Sequence, residues 1–316
     1  MAQSLALKAG AMLVPQPQHA LWQYQRLALL AEAAELYRET LPHTGATGYV
    51  FSFNRPVQLH ACLASYFHHA ANPVPLVVQY EATYPEAAKV YGEVEALMKD
   101  KPVTFVKETT CRDTFLATFA KVATRKVFFL MDDIVFLNPV DMAQFTGIDP
   151  LAFVPTLRMH PGLSRCYTMN APQPPPATLA PSKTHVPMLQ WTWGDAGNEW
   201  DDPMSLDGNL FDTAEVMMIA RASIWKAPNS LESAMKGFAA AMRPRPGLCY
   251  AKPVLVNNPC NRVQTEVDNR AGEESAFSPE QFLAAWAKGQ RIHFEALAGT
   301  STTGPHQEFP FGFIAR

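Results

Sequence analysis

Between residues 46 and 131 the chain alternates short apolar runs with longer stretches of mixed polarity. Tyr49-Val50-Phe51-Ser52-Phe53, Leu76-Val77-Val78-Gln79-Tyr80, Val103-Thr104-Phe105-Val106 and Lys126-Val127-Phe128-Phe129-Leu130-Met131 read as four buried strands. The stretches between them, from Pro56 to about residue 70, Pro85 to Lys99, and Thr110 or Cys111 to about Thr124, read as helices. Pro56 and Pro85 suit a first helical turn, where a missing N–H needs no partner. Strands alternating with helices imply right-handed crossovers and a mostly parallel central sheet flanked by helices, an α/β fold.

Upstream, Trp22, Leu29, Ala33, Leu36 and Tyr37 recur at helical spacing and predict an accessory helix within 21–45. Its polar face mixes Glu32, Glu35 and Glu39 with Arg26 and Arg38, unlike the basic face of a membrane-surface helix. Packing on its own domain is therefore expected, with peripheral membrane contact left open. Residues 1–20 are expected to form a flexible arm, their apolar stretch being too brief for a secretory leader. Periodicity weakens after Pro139. Residues 140–226 combine Pro172-Gln173-Pro174-Pro175-Pro176 with Trp191, Trp193 and Trp200, which suggests ordered loops covering or lining a cleft. Phe211 to Ile219 is expected to return to the sheet, Ala222 to Met242 to be helical, and Lys252 to Val256 to form a short strand. Ser278-Pro279-Glu280 opens a further helix, and the tail around Phe309, Phe311 and Phe313 packs as an extended arm. Residues 227–316 thus read as a C-terminal helical extension on the same domain, with 46–139 and 140–226 as its two earlier halves.

At 316 residues and 48% apolar the chain has ample material for a core. A net charge of −3 gives no whole-surface attraction for nucleic acid or an anionic membrane. The cysteines, Cys62, Cys111, Cys166, Cys249 and Cys260, form no CxxC pair, so reduced thiols and a cytoplasmic setting, at most at the inner membrane surface, are expected. No run approaches the roughly 18 apolar residues needed to span a bilayer.

A dinucleotide site needs a glycine-rich turn after the first strand, but the turn here is Ser52-Phe53-Asn54-Arg55-Pro56. A P-loop, an HExxH pair and a Gly-x-Ser-x-Gly elbow are absent from the sequence as well. The turn does place polar side chains and an arginine at a strand's carboxyl end, where open sheets bind ligands. At the corresponding end of the fourth strand, Asp132 and Asp133 follow Val127 to Met131. Adjacent buried carboxylates repel each other and lose hydration, and a hard divalent cation relieves both penalties. Consecutive strand residues face opposite sides, so one carboxylate binding metal while the other holds a ribose hydroxyl or an arginine is the expected arrangement. A solvated loop start, with Asp capping a turn, is the bland alternative.

The combination of Val50-Phe51-Ser52-Phe53-Asn54-Arg55-Pro56, Phe128-Phe129-Leu130-Met131-Asp132-Asp133 and Ser205-Leu206-Asp207-Gly208 resembles the GT-A glycosyltransferases, family 2-like, over about residues 47–220. Methionine stands at 131 where that family's acidic triplet has its first acid. The resemblance implies a nucleotide-diphospho-sugar transferase, with Mn²⁺ or Mg²⁺ on Asp133 and Asp132 facing the donor's ribose or sugar. It places Arg55 at the donor diphosphate, Asn54 at the nucleotide, Gln79 at a uracil edge and Asp113 near the base or sugar. Asp207 would be the general base if the transfer inverts, and some members of the family use a C-terminal histidine as a further metal ligand, a role left open for His293. The implied partners are a nucleotide-sugar, UDP-linked by preference, and a carbohydrate or glycolipid acceptor. Asp201 and Asp202 compete with Asp207 as bases, Glu199 more weakly, and the tryptophans offer a sugar platform or simple packing. A noncatalytic carbohydrate-binding protein and a sugar-nucleotide nucleotidyltransferase are the competing functions. The second would want a glycine-rich basic loop after the first strand, which this chain lacks.

Overall fold

A computed structural model describes residues 17–121, 124–266 and 269–316. The expected arm at residues 1–20 lies outside the described residues, except for its last four positions. Those begin helix α1 (Pro17–Arg38), which therefore starts ahead of the expected Leu21. Strands β1 (Ala46–Phe53), β2 (Leu76–Glu81), β3 (Val103–Lys107) and β4 (Lys126–Met131) follow, separated by helices α2 (Pro56–His69), α3 (Pro85–Leu97) and α4 (Cys111–Phe119). A short strand β5 (Ile134–Phe136) comes next, then an irregular region leading to β6 (Leu210–Asp212). The remainder contains α5 (Thr213–Ala222), α6 (Pro228–Lys236), β7 (Leu255–Asn257) and α7 (Pro279–Ala287).

The central sheet runs β6-β4-β1-β2-β3. Strands β1 to β4 pair in parallel and β6 adds antiparallel at the edge, Leu210 facing Phe128. Side-chain alternation divides the core between the two faces. Val50, Phe128 and Leu130 pack with α2 and α3, while Tyr49, Phe51, Val127 and Phe129 pack with α4 and α5. Strands buried on both sides explain the near-continuous apolar runs. Gly48 permits the close packing of β1 on its neighbours: a Cβ there would sit 2.3 Å from Leu76 and 2.6 Å from the Phe128 ring.

Two expectations after Pro139 need correction. The Phe211–Ile219 return to the sheet is a strand of three residues, because Asp212 accepts from the Glu215 N–H and caps α5. The single helix expected over 222–242 is broken before Pro228, where the chain turns to bury Trp225 and restarts as α6. By contrast, Ser278 caps α7 as its sequence suggested, and Phe313–Ala315 pairs with Gln290–Ile292.

The α1 helix packs on its own domain. Arg38 donates Nε and Nη2 to the two oxygens of Asp212, each at 3.0 Å. Among the described residues no helix is long and apolar enough to cross a membrane. All five cysteines are free and buried.

Candidate active-site cleft

A cleft of about 850 Å³ opens at the carboxyl ends of β1, β2 and β4 and is walled on the far side by the irregular region, α6 and the segments after β7. Its floor is built by the turn after β1. Asn54 takes a left-handed conformation, φ 57°, doing the work of the glycine the sequence lacks. Its amide accepts from the Thr83 N–H and donates to the Thr83 hydroxyl. Asn54 is thus the residue that shapes the turn rather than one that lines the cleft, and Arg55 is thrown back over the end of β4.

There the Arg55 Nη1 lies 3.0 Å from Asp132 Oδ1 and 3.1 Å from Asp133 Oδ2, while Nη2 donates to the Asn261 carbonyl. The arginine and both carboxylates therefore meet on one side of the sheet. Asp132 is further held by the Ser52 hydroxyl at 2.9 Å and the Phe53 N–H at 3.2 Å, so both its oxygens are engaged by the protein. Asp133 differs. Its Oδ1 is buried without a hydrogen-bond partner. Burial pushes the Asp133 carboxyl up to about 6, Arg55 opposing the rise and Asp132 and Asp207 adding to it.

No group of three or more His, Cys, Asp or Glu side chains arranged around a metal occurs among the described residues. The unpartnered Asp133 oxygen nevertheless fits a hard cation of the Mg²⁺ or Mn²⁺ type, which takes few protein carboxylates and completes its shell with phosphate and water. His293 is not part of the cleft lining.

Asp207 reaches the same cleft through the sheet edge. Antiparallel pairing of β6 with β4 brings the residues before Leu210 level with the end of β4. Gly208, at φ 78°, then turns the chain, donating to the Phe129 carbonyl and accepting from the Leu157 N–H. A Cβ at Gly208 would press on Leu255 and Leu157 at 3.1 and 3.2 Å. Asp207 is buried, with Oδ2 3.2 Å from His306 Nε2. The other ring nitrogen, Nδ1, lies 3.3 Å from Glu199, whose second oxygen meets Arg158 at 2.5 Å. His306 is delivered by a parallel bridge to Asn257 at the end of β7, itself paired with β5 just past Asp133.

The charges in this chain of groups support one another. Burial opposes ionisation of Glu199, yet Arg158 and then His306 outweigh it and hold the carboxyl far below its ordinary value. Burial likewise opposes the charge on Asp207, and His306 followed by Arg158 prevails. Desolvation alone would lower His306, but Glu199 and Asp207 together hold it well above its ordinary range.

Other expected residues fall elsewhere. Gln79 lines the cleft, but its amide hydrogens go to Glu108 and the Cys111 carbonyl, and its Oε1 accepts from Tyr49. It fixes Glu108 on the wall and has no amide hydrogen left for a uracil edge. Asp113 points to solvent at the start of α4, bonded to Thr110, outside the cleft lining. Trp191, Trp193 and Trp200 are buried against one another and offer no sugar platform. Asp201 pairs with Arg243, whereas Asp202 faces the cleft and pairs with Lys236 of α6. Sequence reading missed Arg158 and His306 and undervalued Glu199. All three lie where periodicity is absent.

No protein-family model matches the chain, and no curated protein matches it. Solved structures do resemble it in part. S. aureus TarS 1–349 in complex with UDP is 12% identical, with a TM-score of 0.42 over 66% of this chain and 58% of its own. The mannosyltransferase PcManGT from Pyrobaculum calidifontis, in complex with GDP-Man and Mn²⁺, is 14% identical, with a TM-score of 0.29 over 42% and 45%. A nucleotidyl transferase from Methanothermobacter thermautotroptrophicus is 8% identical, with a TM-score of 0.35 over 66% and 88%. The chain spans less than two thirds of either of the first two proteins.

Proposed function

We propose that the protein is a nucleotide-sugar-dependent glycosyltransferase that moves a sugar to a hydroxyl of a carbohydrate or glycolipid acceptor. One observation carries the reading: an arginine, a carboxylate with a free buried oxygen and a second carboxylate paired with a histidine converge in one cleft at the carboxyl end of a parallel sheet.

The residues divide the work. Arg55 supplies the guanidinium hydrogen bonds that suit a diphosphate. Asp132 holds that guanidinium at the strand end, and the Ser52 and Phe53 donors keep Asp132 in place. Asp133 would hold a divalent cation, which supplies neutralisation of the negative charge that develops on the departing nucleoside diphosphate. Asp207 accepts the proton of the acceptor hydroxyl as that oxygen bonds to the anomeric carbon. The bond from that carbon to the phosphate oxygen breaks, and its electron pair leaves with the nucleoside diphosphate. Attack opposite the leaving group inverts the anomeric centre.

Incubation with a panel of nucleotide-sugars, UDP-linked ones first, tests the assignment through release of nucleotide with and without Mn²⁺. Release from one donor, and its loss in D207N with nucleotide binding retained, is the expected result. Binding of free glycans without nucleotide binding would assign the cleft to a carbohydrate-binding protein. Formation of a sugar nucleotide from a nucleoside triphosphate and a sugar phosphate would assign it to a nucleotidyltransferase.

A further inference from the structure

We propose that His306, clamped between Glu199 and Asp207, is the positioning residue that keeps Asp207 ionised and aimed at the acceptor hydroxyl. The inference deepens the transferase reading and rests on it for the identity of the proton donor.

Ring geometry sets the charge. Nε2 faces Asp207 and Nδ1 faces Glu199, and ionised carboxylates only accept hydrogen bonds. A neutral imidazole carries one N–H and would leave one of these contacts as a lone pair against an anion. The Nδ1 contact is an ion-pair distance without hydrogen-bond alignment, but two carboxylates flanking one buried ring favour its doubly protonated, imidazolium form.

That cation answers a problem the cleft creates. Asp207 is buried and shares the cleft with Asp133, Glu199, Asp202 and Glu232. Lys236 is drawn to Asp202 and Glu232, and Arg55 to Asp132 and Asp133. Arg158 is bonded to Glu199 at 2.5 Å. His306 is the group that meets Asp207 directly. Without it, desolvation and like charge would favour a protonated Asp207, which is too weak a base to take a proton from an acceptor. The electrostatics run the same way: Glu199 and then Asp207 raise His306 against desolvation, and His306 lowers Asp207 against its own burial.

The clamp also fixes direction. Arg158, only 2% exposed, holds Glu199, Glu199 draws the ring by its charge at 3.3 Å, and the ring lies against Asp207 Oδ2. The remaining oxygen, Oδ1, is the one presented to an acceptor. During transfer the acceptor's proton passes to Asp207, the imidazolium keeps both of its own, and no further group changes protonation. His306 thus acts through Asp207 and never touches the reacting atoms.

The test combines spectroscopy with kinetics on the full chain. Nitrogen-15 shifts of the His306 ring in wild type should show both nitrogens protonated at pH 7.5, and E199Q should lower the pH at which the ring loses a proton. H306Q should retain nucleotide affinity and lose at least roughly tenfold in kcat, within the span of general-base contributions. The acid limb of its pH–rate profile should move upward, so that part of the rate returns in alkaline buffer. A neutral ring at pH 7.5, an unmoved acid limb or lost nucleotide affinity in H306Q would each overturn the proposal. Should H306Q not fold, the ring spectra of wild type and E199Q still decide the matter. If wild type releases nucleotide from no sugar donor, the transferase reading falls, whereas the spectra report on the clamp without turnover.

Discussion

Replacing Asp133 by Asn should make the protein more stable at neutral pH and abolish the cation coupling proposed for its nucleotide binding. The charge of Asp133 is poorly compensated in the cleft. One oxygen shares the Arg55 guanidinium with Asp132, and the other has no partner at all. Its carboxyl, ordinarily near 3.8, is pushed up to about 6 by burial, with Asp132 and Asp207 adding to the rise against Arg55. A folded-state value above the unfolded one means that the native chain holds a proton the unfolded chain has released. The associated stability is complete below about pH 4 and is lost as pH rises through about 6. Two units correspond to about 3 kcal/mol at neutral pH. Asn removes that penalty and forfeits one of the contacts of Arg55, which keeps Asp132 and the Asn261 carbonyl. The expected net gain is about 1–3 kcal/mol at pH 7.5, shrinking towards zero by about pH 4. Urea melts in EDTA-containing buffer at several pH values measure it, and calorimetry of UDP with and without Mn²⁺ measures the functional loss. A D133N protein less stable than wild type at pH 7.5, or one whose stability difference is unchanged between pH 4.5 and 7.5, would refute the reasoning.

Other substitutions probe the frame that holds the site. Arg38→Met removes the two-pronged contact with buried Asp212 and leaves it the Glu215 N–H and, as its nearest cation, the more distant Arg125, 3.8 Å away; a loss of about 2–4 kcal/mol is expected in thermal or chemical melts, with faster hydrogen exchange along α1. Gly247→Ala would drive a methyl group to 2.4 Å from the Trp191 ring, itself packed edge-on to Trp193 and Trp200. It should cost about 1–3 kcal/mol and alter the near-ultraviolet tryptophan spectrum. Gly289→Ala is a useful contrast: the added carbon meets nothing within 4 Å, so any loss would come from its left-handed backbone alone, φ 76°.

What the chain revealed in advance follows from where local pattern and tertiary demand coincide. Four parallel strands and three crossover helices were visible because the central strands β1 and β4 are buried on both faces, so burial wrote apolar runs directly into the sequence, while the edge strand β3 is only half-buried and still alternates in type. Arg55, Asp132 and Asp133 were legible for a related reason: they stand where such runs stop, and a charged group at that boundary is conspicuous. Asn54 was noticed for the wrong property, its polarity suggesting a ligand contact when its left-handed backbone is what the turn requires. Gln79 and Asp113 were chosen on polarity as well, and in the structure each is bonded by nearby protein groups. His306 could not be found at all by pattern. Its position depends on a single bridge to Asn257 across 49 residues, and its partners Glu199 and Asp207 arrive from two other segments. The far half of the cleft is assembled from loops whose residues share no period, and they come together only through the sheet edge, β5 and β7. Under the proposed clamp, the carboxylate chosen from sequence for its Asp-Gly turn depends on a histidine 99 residues further along the chain to keep its charge.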